Sequence, residues 1–250
     1  MSLITTPAVL LRSYPYGETS RILRFLTEDL GVVGTMARGV RREDSKRGSS
    51  LDTFGDGILA MHFKENRDLQ TYRGFSVRRA RPALGTHLLR LGGAALLAEI
   101  ILVHTLEEGN PELYRRFLLA LDEVAEGEDQ LLRARILAGA WSVVGALGFG
   151  PSIGRCVACG RGLGAEEIGR FDCEAGGVRC AGCGREELPR VGPVARSHLF
   201  ALVAGSAPEE LRGARAHLQL LAGFIHSHLA PARTLRSLPL VQAQFGAEDV

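Results

Sequence analysis

The sequence predicts an α+β protein of two domains: a small five-stranded β-barrel, then an all-helical domain interrupted by a four-cysteine insertion. Three observations carry that reading. Five short β-like runs fill the first 81 residues, helical apolar periodicity takes over after Pro82, and all five cysteines lie between positions 156 and 183.

The β-like runs are Ala8–Tyr14, Ile22–Thr27, Val32–Val40, Gly57–Phe63 and Leu69–Val77, each β-branched or alternating in apolar character. Turn-forming material separates them: Pro15-Tyr16-Gly17-Glu18, Glu28-Asp29-Leu30-Gly31, the polar stretch 41–56, and Lys64-Glu65-Asn66-Arg67-Asp68. Five strands in so short a segment suit a closed barrel of the OB type over residues 1–81, with a curled open sheet as the alternative.

Pro82 closes that segment. Thr86 is placed to cap a helix over about residues 87–106, and Asn110-Pro111 gives an N-cap followed by proline at the first helical position. The helix that Asn110 opens carries Leu113, Phe117, Leu121 and Val124 on one face. Asp129 is expected to cap a third helix through Leu132, Ile136 and Trp141 to Leu147. Beyond the cysteines, Val194–Ala204 reads as helix. Ser206-Ala207-Pro208-Glu209 has the capping-box pattern for another helix, through Leu211, Leu218, Leu221, Ile225 and Leu229. Residues 239–250 are expected to fray. Helices on both sides of the cysteines imply one domain, 82–250, with the insertion at about 151–189. Ile136 to Gly154 carries no charge over 19 residues, but its five glycines, two serines and Pro151 fit a buried helix running into a loop better than a membrane span.

Cys156-Val-Ala-Cys159 and Cys180-Ala-Gly-Cys183 are two Cys-x-x-Cys pairs separated by twenty residues, the spacing of a four-thiolate Zn²⁺ site. Each continues as Gly-Arg, at Gly160-Arg161 and Gly184-Arg185. Glycine there permits a tight positive-φ turn that aims backbone N–H groups at the sulfurs. One structural zinc is the expectation, with an iron–sulfur cluster as the alternative. Four thiolates leave zinc no open position, so the metal would hold a loop together without catalysing. Cys173 is left over as a spare thiol. A disulfide framework is disfavoured, because Met1-Ser2-Leu3-Ile4 does not begin a secretion signal, and a cytoplasmic protein is expected.

Thirty basic and 28 acidic residues leave a net charge of +2, which by itself points to no polyanionic partner. The distribution is uneven. Residues 1–81 hold 14 basic and 9 acidic residues, net +5, whereas residues 82–154 hold 5 and 9, net −4. All but two of the basic residues, Lys46 and Lys64, are arginine, whose forked donors suit phosphates.

Several motifs fail on context. Gly150-Pro151-Ser152-Ile153-Gly154 matches a nucleophile elbow in letters, but a helix precedes it and a cysteine knuckle follows. Gly55-Asp56-Gly57-Ile58-Leu59-Ala60 leads into a strand, and a dinucleotide fingerprint would open a helix. No P-loop is present. His217, His226 and His228 lack carboxylates at a ligand spacing and read as surface or interface residues. No set of catalytic groups converges, and no enzymatic activity is expected.

What remains is the run from Arg38 to Arg47, in which Arg38, Arg41, Arg42, Lys46 and Arg47 put five cations into ten residues flanked by Gly and Ser. The bland alternative is a solvated loop. In the most basic third of the chain, leaving a predicted barrel strand, the run suits a phosphate backbone. Tyr14, Tyr16, Phe25, Phe54, Phe63, Tyr72 and Phe75 are the aromatic candidates for base stacking, though several must serve as core.

Tyr16-Gly17-Glu18-Thr19-Ser20-Arg21-Ile22-Leu23, Phe25-Leu26-Thr27, Gly31-Val32-Val33, Ala37-Arg38-Gly39-Val40-Arg41-Arg42 and Ser45-Lys46 resemble the N-terminal signature of the bacterial RecO family of recombination mediators in DNA repair. The helix–cysteine–helix remainder is similar in order and length. The resemblance implies an OB-fold before a helical domain with a zinc site in some members. It also implies binding of single- and double-stranded DNA, strand annealing, and action with RecR to load RecA onto DNA coated by single-strand-binding protein. By position, Arg38, Arg41, Arg42, Lys46 and Arg47 match the family's DNA-binding face. Two other function classes stay open: a zinc-ribbon adaptor for protein partners, and an RNA-binding OB protein.

Overall fold

A computed structural model describes residues 2–39, 53–104, 108–231 and 233–246. The chain divides into two compact units. One comprises Met1–Thr86 with Thr105–Arg115, the other His87–His104 with Arg116–Val250.

In the first unit, β1 (Ser2–Tyr16), β2 (Ser20–Thr27), β3 (Gly31–Ala37), β4 (Asp56–Phe63) and β5 (Leu69–Arg79) form a closed barrel in the order β1-β2-β3-β5-β4. β1 serves two neighbours. Its first half, Ser2 to Val9, runs antiparallel to β4, while Ala8 to Tyr16 runs antiparallel to β2, with a register shift between Leu10 and Arg12. The parallel pairing of β3 with β5, from Gly34↔Leu69 to Met36↔Thr71, completes the closure. Inward alternation puts Ala8, Leu10, Leu23, Phe25, Val33, Ala37, Leu59 and Met61 into one core. β1 begins six residues earlier than its apolar run because Ser2 to Val9 pair with β4, a start hidden in the sequence by exposed Leu3 and Thr5 and by Pro7, which reads as a strand breaker. Buried Arg81 ends the barrel segment, donating to the Phe54 carbonyl at 2.7 Å and pairing with Asp56 at 2.7 Å.

The second unit holds α1 (Leu88–Val103), most of α2 (Pro111–Glu126), α3 (Leu132–Ala146), α4 (Pro193–Val203), α5 (Ala214–His228) and α6 (Leu238–Gln244). The uncharged stretch of the sequence begins inside α3 at Ile136, after Arg133 and Arg135 of its first turn, and runs on past the end of the helix. α3 packs against α1, α4 and α5, with Ile136, Trp141 and Val144 fully enclosed. Between α3 and α4 a three-stranded sheet, β6 (Gly169–Asp172), β7 (Gly177–Arg179) and β8 (Arg190–Val191), runs in the order β7-β6-β8.

Helix boundaries depart from expectation at four places. His87, not Thr86, caps α1: its Nδ1 accepts from the Leu89 N–H at 3.2 Å, while the Thr86 hydroxyl turns back to the Ala83 carbonyl. Asp129 begins a short 3₁₀ turn instead of capping α3, and its carboxylate accepts from Arg90 at 2.6 Å. The Ser206–Glu209 pattern opens no helix. Ser206 N–H bonds the Ala201 carbonyl at 2.8 Å to finish α4, and α5 starts only after Gly213 at φ +70°. The C-terminal segment is not frayed over its described length, for Val241 and Phe245 are buried. Buried Glu99 accepts from the Arg236 and Ser237 N–H groups at 2.9 and 2.8 Å and from the Ser237 hydroxyl at 2.6 Å, fixing the entry to α6. The cap at Asn110 is as expected, its Oδ1 accepting from Leu113 N–H at 2.9 Å.

Candidate metal centre and nucleic-acid face

The sulfurs of Cys156, Cys159, Cys180 and Cys183 all lie within 4.8 Å of one another. Sulfurs held about 2.3 Å from a tetrahedral zinc stand about 3.8 Å apart, and Cys159 Sγ and Cys180 Sγ are 3.9 Å apart. The residues present therefore fit a four-thiolate metal ion. The two knuckles are built alike: Gly160 N–H closes on the Cys156 carbonyl and Gly184 N–H on the Cys180 carbonyl, each at 2.8 Å. Their glycines differ. Gly160 has φ +75°, the left-handed turn expected of it. Gly184 does not, and what it provides is room, since a Cβ there would stand 3.0 Å from Arg170 Cδ.

Backbone donors converge on Cys156, whose sulfur accepts from the Cys180 N–H at 3.3 Å. Burial opposes ionisation of that thiol, but the N–H groups of Cys180, Cys159 and Ala158 outweigh it and bring Cys156 down to about 6. At Cys183 the neighbouring sulfurs of Cys180 and Cys159 push the thiol up to about 12. Four thiols this close cannot all ionise on their own, and a divalent cation among them removes that conflict. Cys173 stands outside the cluster, its thiol raised by burial and by Asp172 and Glu174.

The insertion is fastened to the helices. Phe171 of β6 packs on Phe224 of α5, which meets Trp141 of α3 edge-on at 5.2 Å. Buried Arg196 of α4 donates to the Glu167 and Ala165 carbonyls at 2.6 and 2.7 Å and also to that of Gly164. The histidines divide. His226 is exposed, His228 Nε2 donates to the Cys173 carbonyl at 2.7 Å, and His217, expected near the surface, is buried. Ser152 of the elbow-like motif sits in a bridge to Gly177, its hydroxyl on the Arg155 carbonyl.

On the barrel, Phe25 is core and meets Phe75 at 5.0 Å, Phe54 is buried, and Phe63 and Tyr72 are half-covered. Tyr14 and Tyr16 are left, 40% and 55% exposed at the end of β1. Arg12 lies 5.3 Å from the Tyr14 ring centre, a cation–π contact that steadies the ring. Register lines up their neighbours: Pro15 pairs with Arg21, and Arg21 with Ala37, so Arg38 leaves β3 at the same end. Exposed Arg38 and Arg73 each lie two residues beyond the Met36↔Thr71 pair of the parallel ladder. Arg41, Arg42, Lys46 and Arg47 lie outside the described residues.

Two family models match the chain in tandem, Recombination protein O N terminal over residues 1–81 and Recombination protein O C terminal over residues 85–238. The chain belongs to the RecO family. The DNA repair protein RecO of Anaeromyxobacter sp. (strain K) is 30% identical over 240 residues, 92% of each chain. That of Anaeromyxobacter dehalogenans (strain 2CP-C) is 31% identical over 242 residues, again 92% of each. That of Rubrobacter xylanophilus is 32% identical over 200 residues, 78% of this chain and 77% of the relative.

The RecO N-terminal match covers the strip of Arg12, Tyr14, Tyr16, Arg38 and Arg73, and the C-terminal match covers all four clustered cysteines. The basic run alone does not reveal Arg12 and Arg73, because strand register and not sequence proximity brings them to the end of the barrel where Arg38 leaves β3. Among the described residues no helix is long and apolar enough to cross a membrane.

Proposed function

We propose that this RecO family member is a DNA-binding recombination mediator whose barrel, of the OB type, holds the strand. The observation that carries this reading is the strip of exposed Tyr14 and Tyr16 with Arg12, Arg38 and Arg73 at one end of a five-stranded barrel ordered β1-β2-β3-β5-β4. Guanidinium groups engage phosphates while tyrosine rings accept unstacked bases, the combination single-strand binders use. The run Arg38, Arg41, Arg42, Lys46 and Arg47 extends the same charge.

Annealing then follows from electrostatics. Cationic side chains neutralise the phosphates of two strands that otherwise repel, which raises their encounter rate with no covalent bond made or broken. In this reading residues 1–81 hold DNA, and residues 82–250 meet RecR and single-strand-binding protein and so assist RecA loading. Cys156, Cys159, Cys180 and Cys183 would hold one structural Zn²⁺ that ties the insertion together.

A salt-dependent titration of the full chain with single-stranded DNA, duplex DNA and RNA of equal length tests it. DNA binding with a steep salt slope, weakened by the paired change Tyr14→Ala/Tyr16→Ala more on single strands than on duplex, is the expected result. Absence of DNA binding at low salt overturns the reading in favour of a protein adaptor, and a preference for RNA overturns it in favour of an RNA-binding barrel.

A further inference from the structure

Strand register sorts the outer wall of the barrel into parallel rows. Leu23, Phe25, Val33 and Ala37 belong to the core, so Ile22, Arg24, Gly34 and Met36 beside them face outward. Pairing across the strands lines up Arg12, Arg24, Gly34 and Leu69 in one row, and Tyr14, Ile22, Met36 and Thr71 in the next. Tyr16 and Ser20 pair in a third row, at the end of the wall where Arg38 leaves β3. The middle row carries no charge, and cations flank it on both sides.

Arg12 and Arg24 are direct partners on antiparallel strands, a position that sets Cβ atoms about 4.5–5.5 Å apart. Like charges opposed in this way destabilise a sheet unless an anion lies between them. Both side chains are half-buried, and among the described residues neither guanidinium has a hydrogen bond or an ion pair. Arg12 is tied to the middle row, 5.3 Å from the centre of the Tyr14 ring. Arg24 lies over Gly34, where a Cβ would stand 3.1 Å from Arg24 Nη1 and 3.0 Å from the Asp68 carbonyl oxygen. Gly34 has no left-handed φ, so what the glycine supplies is room for the guanidinium against the wall.

We infer that Arg12 and Arg24 together seat one backbone phosphate of a bound single strand, with a neighbouring base on Tyr14. The inference rests on the reading of the barrel as a single-strand-binding face. It adds Arg24 to that face, in a phosphate seat across the tyrosine row from Arg38 and Arg73. Forked guanidiniums approaching from two strands suit the spread oxygens of a phosphodiester, and one anion between them relieves their repulsion.

The full chain is titrated with single-stranded DNA over a range of salt, unaltered and as Arg24→Gln, Arg24→Lys and Arg12→Gln/Arg24→Gln. Arg24→Gln should weaken binding by about tenfold, the cost of losing a charge-assisted hydrogen bond. Arg24→Lys should recover part of that loss, because an ammonium keeps the charge and gives up the fork. With both arginines on one phosphate, the double variant flattens the slope of log K against log salt by about 0.7, the value for a single contact. Arg215→Gln, at an exposed position of α5, makes the same change of charge and should leave affinity and slope alone. Thermal midpoints without DNA should not fall in Arg24→Gln, since one of two opposed charges is gone. A flattening of about 1.4 in the double variant puts the arginines on separate phosphates and overturns the shared seat. An unchanged slope and affinity in a chain that binds DNA overturns the seat and leaves the wider reading of the barrel standing. No DNA binding by the unaltered chain overturns both.

Discussion

Glu167 and Arg161 form a two-pronged ion pair beside the cysteine cluster, with Arg161 Nη1 donating to Glu167 Oε2 at 3.0 Å and Nη2 donating to Oε1. Arg161 belongs to the first knuckle. The same carboxylate accepts from the Ala181 N–H of the second knuckle at 2.9 Å, so one side chain bridges the two halves of the site. The Arg161 hydrogen bond, followed by the Ala181 N–H, holds Glu167 down at about 2, and it stays ionised across the physiological range. Arg161 in turn is raised, first by Glu167 and then by its hydrogen bond to the Cys180 sulfur.

Glu167→Ala should therefore loosen the metal without removing a ligand. Outer partners of metal ligands are worth about 10- to 100-fold in affinity. The variant should bind zinc at full stoichiometry yet release it to a competing chelator that much more readily. Release indistinguishable from that of the unaltered protein would show that the bridge does not support the metal.

The ligand set has its own test. Purified protein should hold one zinc per chain. Cys180→Ser should lose it and lower the thermal midpoint of the helical unit, while Cys173→Ser should keep it, because Cys173 stands outside the cluster. Full metal content after Cys180→Ser, measured by elemental analysis, would remove that residue from the ligand set.

The five barrel strands, the cysteine quartet and the central helix through Ile136 and Trp141 were legible because each follows from periodicity or spacing, whereas β6, β7 and β8 of the insertion are too short to show either. The details that failed depend on partners far away in sequence. Glu99 holds Arg236 and Ser237 from 137 and 138 residues away, and nothing local in residues 236–245 announces that anchor. His87 took the cap from Thr86 through a ring nitrogen, a residue type outside the usual capping preferences. Gly184 repeats Gly160 in sequence but is needed for the room it leaves to Arg170. The tyrosine–arginine strip is assembled by register across four strands, which a linear charge count does not reveal.

Cys173 and Gly223 make a close pair inside the helical unit. A Cβ built on Gly223 would stand 2.7 Å from Cys173 Sγ, too near for both to remain in place. Gly223→Ala should destabilise the protein by about 1–3 kcal/mol, the range for overpacking. Cys173→Ala in the same chain should recover most of that loss. Denaturation of the two single variants and the double variant measures the coupling. Simple additivity would mean that the backbone, and not the thiol, sets the strain.

Stability should fall with acid through His217. Burial, followed by the charge of His198, lowers it to about 4, against an ordinary value of 6.5. Its ring centre is 6.2 Å from that of His198. The unfolded chain takes up this proton as pH drops through 6.5, and the folded chain resists until about pH 4. The contribution is fully present above the unfolded value and is lost on acidification. It amounts to about 1 kcal/mol between pH 7.5 and 5.5 and on the order of 3 kcal/mol by pH 4. Urea denaturation of the protein and of His217→Gln across that range should show the difference between them changing by this amount. Parallel pH profiles would mean that His217 does not titrate differently on folding.

The basic run can be weighed against an idle loop by its salt dependence. Suppose that Arg41, Arg42, Lys46 and Arg47 each neutralise one phosphate of a single strand. Each contact then contributes about −0.7 to the slope of log K against log salt, and four contribute roughly −2.8. Replacing all four by alanine should flatten the slope by that amount and weaken binding alike for unrelated sequences, since phosphate contacts carry no sequence information. Annealing should decline in step, because both strands meet the same charge. Tyr14→Ala/Tyr16→Ala should act differently, lowering single-strand affinity by about 1–3 kcal/mol per lost stacking contact while leaving the slope in place. The two variants thus divide affinity into a charge component and a stacking component. If the quadruple variant folds normally and binds with the original slope, the strand does not run over residues 41–47, and the anchoring charge is that of Arg12, Arg38 and Arg73.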